Sequence, residues 1–139
     1  MAPLMDGDVR QRPSSAEVDV AVKWLSLNRK LVIADRTPKE FVFALVVHGS
    51  SYVLEWHELV ASNNGSHQLY LVGSVAVEDI REITESRQDA TLFTVAISGD
   101  NTRALKNTKG RTSVSIQCNS SGECGKYMAS LICLKRSTM

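Results

Sequence analysis

Residues 91–98, TLFTVAIS, and 112–118, TSVSIQC, alternate apolar and polar side chains with a period of two. In an extended chain, alternate side chains point to opposite faces. Phe93, Val95 and Ile97 therefore share one face, as do Val114, Ile116 and Cys118, and each face needs a cover. Other segments read the same way. EFVFALVV (40–47) is a short, continuous apolar run rich in strand formers, which predicts a buried strand. SYVLEW puts Tyr52, Leu54 and Trp56 on one side, and QLYLVG follows it. VDVAVKWLSL (18–27) is β-branched and partly alternating, which predicts a first strand that LVIAD continues. SVAVEDIREI alternates at Val75 and Val77 and then shifts phase at Glu78-Asp79, the mark of a turn or bulge. Turn signals separate the runs: RTPK around Pro38, HGS, and above all SNNGSH at 62–67. Seven or eight short strands at this spacing predict an antiparallel barrel or sandwich.

The pattern changes after Cys118. Cys124, Tyr127, Met128, Leu131 and Leu134 fall at helical spacing. Ser120-x-x-Glu123 is a capping box, in which Ser120 accepts from the Glu123 N–H and Glu123 reaches back. Glu123 suits the helix N-terminus, and Lys135 and Arg136 suit the C-terminus. The spacing predicts one long helix over 120–135, the only one in the chain. Its apolar stripe would close an open end of the barrel through Tyr127, Met128 and Leu131.

A chain of 139 residues with 43% hydrophobic residues fits one domain. MAPLMDGDVRQRPSS has acids and bases but no apolar centre, so no secretory leader is expected in it. Residues 1–16 are expected to be a flexible tail and 17–139 the domain, in a cytoplasmic protein. No apolar run nears the ~20 residues a membrane-spanning helix needs. The formal net charge is +1, so overall charge gives no reason to expect nucleic acid. Cys118, Cys124 and Cys133 are spaced unlike zinc ligands, and His48, His57 and His67 are scattered. Buried thiols, no disulfide, no metal and no cofactor are expected. No G-x-S-x-G or other catalytic constellation stands out, so a non-enzyme is expected.

Seven antiparallel strands followed by one C-terminal amphipathic helix resemble the pleckstrin-homology (PH) family over about residues 17–136. GSVAVEDIREI looks like the family's fourth and fifth strands and TLFTVAISG like the sixth. RTSVSIQC looks like the seventh, and SSGECGKYMASLICL like the closing helix. YVLEW followed by VEDIREI is similar to the N-terminal PH domain of phosphoinositide-specific phospholipases C. In the closing helix, Tyr127 stands where the family usually has Trp. The resemblance implies a basic residue on strand one for phosphoinositide, and Lys23 fills that place.

Charge adds a site. Arg29, Lys30, Arg36 and Lys39 lie in 29–39, and Arg103, Lys106, Lys109 and Arg111 in 99–111: half of the 16 Lys and Arg residues. By the resemblance these segments are the β1–β2 and β6–β7 connections, at one end of the barrel with the 62–67 turn. Residues 78–89 are acidic instead. The expected function is recruitment of a monomeric domain to anionic phospholipid headgroups, peripheral at the membrane. The alternative is a protein-only adaptor that binds a protein partner. The N-terminal domains of coactivator-associated arginine methyltransferases and of a meiotic recombination accessory family are PH-like domains of that kind.

Overall fold

The computed structural model describes residues 12–34, 37–97 and 113–138. Its element order is α1 (Ser15–Ser26), β1 (Arg29–Ile33), β2 (Lys39–His48), β3 (Ser51–Ala61), β4 (His67–Ala76), a 3-10 turn (Val77–Asp79), β5 (Ile80–Glu85), β6 (Leu92–Ile97), β7 (Ser113–Gln117) and α2 (Ser121–Ser137).

All seven strands pair antiparallel in one sheet, in the order β4-β3-β2-β1-β7-β6-β5. The edges of a flat seven-stranded sheet would lie roughly 29 Å apart, at ~4.8 Å per strand. Yet β4 and β5, the two edges, are joined by only the three residues of the 3-10 turn. Four extended peptide steps reach at most about 14 Å. The sheet must curl until its edges meet at that corner, so it is a barrel. The phase shift at Glu78-Asp79 is the sequence trace of this corner.

Inward residues from both halves of the barrel meet in one core. Phe43, Leu54, Trp56, Val75, Phe93, Val95 and Ile116 are fully buried there. The helix α2 closes it, with Cys124, Tyr127, Leu131 and Leu134 all buried. Ser120 accepts from the Glu123 N–H at 3.1 Å, as the capping box requires. Glu123 reaches one residue further back than the box predicts, and its Oε1 accepts from the Asn119 N–H at 2.8 Å.

The segment at 18–27 is not a strand. All of it but Leu27, the C-cap, lies within α1, so α2 is not the only long helix, and Lys23 is an exposed helical residue rather than part of strand one. Ser14-x-x-Glu17 is a complete capping box: Ser14 Oγ accepts from the Glu17 N–H, and Glu17 accepts from the Ser14 N–H. Ala21 and Leu25, four residues apart, are buried, and Val18 and Val22 pack beside them. Helical burial of that stripe outweighs the strand preference of the valines. The helix begins at Ser15, inside the segment assigned to the tail.

Cys118 and Cys124 are both buried, on either side of the passage from β7 into α2. Burial pushes the Cys118 thiol up from an ordinary value of 9.0 to about 12. The folded protein thus keeps a proton that the unfolded chain releases above pH 9. Stability from this group is complete below pH 9 and is lost as pH rises toward about 12. Urea midpoints should fall as pH rises through that window, and less steeply in Cys118→Ala. An equally steep fall in the variant would assign the effect to other groups.

Candidate functional site

The register of the sheet decides which cations can act together. Ile33, the last residue of β1, pairs with Lys39, the first of β2. The β3–β4 turn opens at the same end, since Lys39 Nζ donates to Glu58 Oε1 at 2.6 Å near the end of β3. Ala96 pairs with Ser113, and Ala34 N–H donates to Ser115 O at 2.9 Å, so the end of β6 and the start of β7 lie there too. The connections 34–38, 62–66 and 98–112 therefore all depart from this one end.

Within it, the β3–β4 turn is tightly built. Gly65 has a φ of +84°, a conformation that favours glycine. Ser62 N–H donates to Ser66 O at 2.7 Å, and Asn64 Oδ1 accepts from Ser66 N–H at 3.1 Å. Lys39 is exposed and is paired with Glu58, and its ammonium also lies 5.5 Å from the Phe41 ring.

The segment 29–39 is not one connection. Arg29 and Lys30 belong to β1, and only 34–38 joins it to β2. Lys30 pairs with Val42, three residues up the ladder from Lys39. That sets it about 10 Å further from the loop end.

Arg29 is not a free cation either. Its guanidinium stacks 3.7 Å over the Trp24 ring, donates to Trp24 O at 3.3 Å and lies 3.6 Å from Glu123 Oε2. Its side chain is 19% exposed, and it ties α1 to α2. Lys30 is exposed, and its carbonyl accepts from Asn119 Nδ2 at 3.1 Å. The exposed Lys23 lies in the last turn of α1, where it complements the helix dipole. Of the cations expected at the loop end, Lys39 is there, and Arg36, Arg103, Lys106, Lys109 and Arg111 lie outside the described residues. The Trp24–Arg29–Glu123 cluster was not legible in the sequence, because its members come from three separate elements.

The opposite end is chemically different. A concavity of about 540 Å³ there is lined by Asp19, Ser50, Ser51, Tyr52 and Glu78, among others. Its carboxylates do not suit an anion. Among the described residues no group of three or more His, Cys, Asp or Glu is placed to hold a metal. No described helix is long and apolar enough to cross a membrane.

No protein-family model matches the chain, and no curated protein matches it. Solved structures do. The PH domain of the Toxoplasma protein TgAPH aligns with a TM-score of 0.60 at 12% identity, covering 88% of this chain and 92% of its own. The PH domain of the Plasmodium protein PfAPH aligns with a TM-score of 0.59 at 12% identity, covering 94% and 99%. Inner Membrane Complex Sub-compartment Protein 3 of Toxoplasma gondii aligns with a TM-score of 0.52 at 9% identity, covering 95% and 93%. Seven antiparallel strands, an end-closing C-terminal helix and these alignments together show that the chain has the pleckstrin-homology fold.

Proposed function

We propose that the chain is a non-catalytic interaction module that docks on anionic phospholipid surfaces, phosphoinositides among them, through the loop end of its barrel. The observation that carries this reading is that three connections leave the barrel from one end. The sequence puts Arg36 in the first of them and Arg103, Lys106, Lys109 and Arg111 in the third, with Lys39 at the end of the same ladder. Each cation close to an anionic leaflet is worth about 1 kcal/mol. The likeness to the phospholipase C domain belongs to the same proposal, resting on YVLEW within β3 and VEDIREI through the corner into β5. Arg29 and Lys30 are left out of the site, because one is engaged between the helices and the other is set back from the end.

Co-sedimentation with anionic liposomes tests it. Wild-type protein should pellet at low salt, and less so as exposed charges become screened over ~10 Å at 0.1 M salt. Neutralising Lys106 and Lys109 together should weaken binding at least ~10-fold, about 1.4 kcal/mol. Neutralising Arg81 and Arg87, which stand among acids, should change it little. If wild-type protein ignores anionic liposomes at low salt, the protein-only adaptor becomes the better reading.

A further inference from the structure

Strand β4 is an edge of the sheet and spans ten residues, HQLYLVGSVA, without one Asp, Glu, Lys, Arg or Pro. The other edge, β5, carries Arg81, Glu82 and Glu85 in six residues. Sheet edges are ordinarily protected by charge, proline, a bulge or a cover, because their free N–H and C=O groups can pair with another strand. A bulge does divide β4. Trp56 pairs with Gly73 but His57 with Leu71, which leaves Val72 as the extra residue. From Gly73 onward the strand is buried or half-buried, whereas every residue of 67–71 is exposed. Leu69 is 43% exposed, Tyr70 53% and Leu71 42%. Leu59 pairs with Leu69, and His57 with Leu71, so Leu59, Leu69 and Leu71 share one face of the hairpin. An apolar stripe thus borders an edge that carries no carboxylate, ammonium or guanidinium and that pairs with no other strand among the described residues.

We infer that this edge is a homotypic interface, in which residues 67–71 pair antiparallel with the same residues of a second copy around a two-fold axis at Leu69. The segment's own chemistry selects that occupant. Like charges directly opposite one another destabilise a strand pair, and a strand meeting itself antiparallel brings like residues together about its centre. This segment carries no carboxylate or ammonium to repel its copy. The bulge fixes the register, because the straight stretch ends at Leu71 and its midpoint is Leu69. Leu69 then faces its own copy, and Leu71 faces His67, so the two leucine stripes join. On the other face Gln68 meets Tyr70, whose hydroxyl already donates to Gln68 Oε1 within one strand at 2.7 Å. The bulge also limits the pairing to one short segment. A two-fold contact of this kind is closed and gives a dimer rather than a fibre. The inference is independent of the lipid reading.

Sedimentation velocity on the full chain tests it. Over about 5 to about 200 µM, a range suited to a short interface, the wild-type protein should pass from monomer to dimer. Leu69→Lys sets two ammonium groups opposite each other at the axis and should weaken the dimer at least ~10-fold. Because Leu69 is exposed, the thermal midpoint of the monomer should not move. In a Cys133→Ser background, Leu69→Cys should form a disulfide-linked dimer on mild oxidation, and Leu59→Cys, one strand inward, should not. A wild-type protein that stays monomeric at the highest concentration overturns the inference. So does a dimer that survives Leu69→Lys, or one that links more readily through Leu59→Cys.

Discussion

Tyr127→Ala should lower the free energy of unfolding by about 3–5 kcal/mol, the range for emptying a buried aromatic site, whereas Tyr127→Phe should cost less than about 1 kcal/mol. Tyr127 is fully buried on α2, between the two helices and the sheet. Its ring meets Trp24 of α1 edge-on at 5.5 Å and Phe93 of β6 at 5.8 Å. Truncation to alanine removes both aromatic contacts and leaves a void bounded by a helix, a strand and a second helix. Phenylalanine preserves the ring and drops a hydroxyl that has no hydrogen-bond partner among the described residues. Equilibrium urea unfolding of the three proteins separates the two contributions. If phenylalanine costs as much as alanine, the hydroxyl rather than the ring is holding the helix.

Gly73→Ala should cost about 1–3 kcal/mol although it adds a single methyl, the usual penalty for overfilling a packed core. A Cβ at this position would lie 2.4 Å from Trp56 Cε2 and 2.5 Å from its Cζ2 and Nε1. The indole has little room to retreat: Trp56 is 1% exposed and packs on Phe43, with ring centroids 5.6 Å apart. The penalty should therefore depend on the indole. In a Trp56→Leu background, Gly73→Ala should be much less costly, and the double-mutant cycle should return a coupling of about 0.5–3 kcal/mol. Strict additivity would place the strain elsewhere.

The strands were legible wherever burial is one-sided. Phe93, Val95 and Ile97 alternate in the sequence and are buried in alternation, and Val114 and Ile116 do the same. Helix α2 was legible because its cap and its stripe agreed. Helix α1 carries the same Ser-x-x-Glu signal at Ser14, but Val18, Val20, Val22 and Trp24 also alternate, and β-branched residues favour strands. What settles that conflict is the surface of α2, far away in the chain. The same conflict reaches the site: Lys23 lies on α1 rather than on a strand, and Arg29 and Lys30 lie on β1 rather than in a connection. Sequence showed where cations are dense. Whether each is free or engaged depends on partners such as Trp24 and Glu123, and on a strand register that short-range pattern does not encode.

The contact between α1 and α2 also bears on how the chain folds. It makes α1 and α2 mutually dependent, through Trp24 against Tyr127 and through Arg29 of β1, which stacks on Trp24 and meets Glu123. During synthesis α1 emerges early, yet the surface that buries Ala21 and Leu25 is complete only after Leu134 has left the ribosome. Until then its twelve residues form an isolated helix, which at that length is marginal in water. The sheet has a similar dependence, since β1 must await β7 to fill the middle of the order. Sequence-distant pairings of this kind put small β-rich domains in the millisecond-to-second folding range. The core is therefore closed late: neither the complete sheet nor the cover over its apolar end can form before β7 and the seventeen-residue helix α2 have been made.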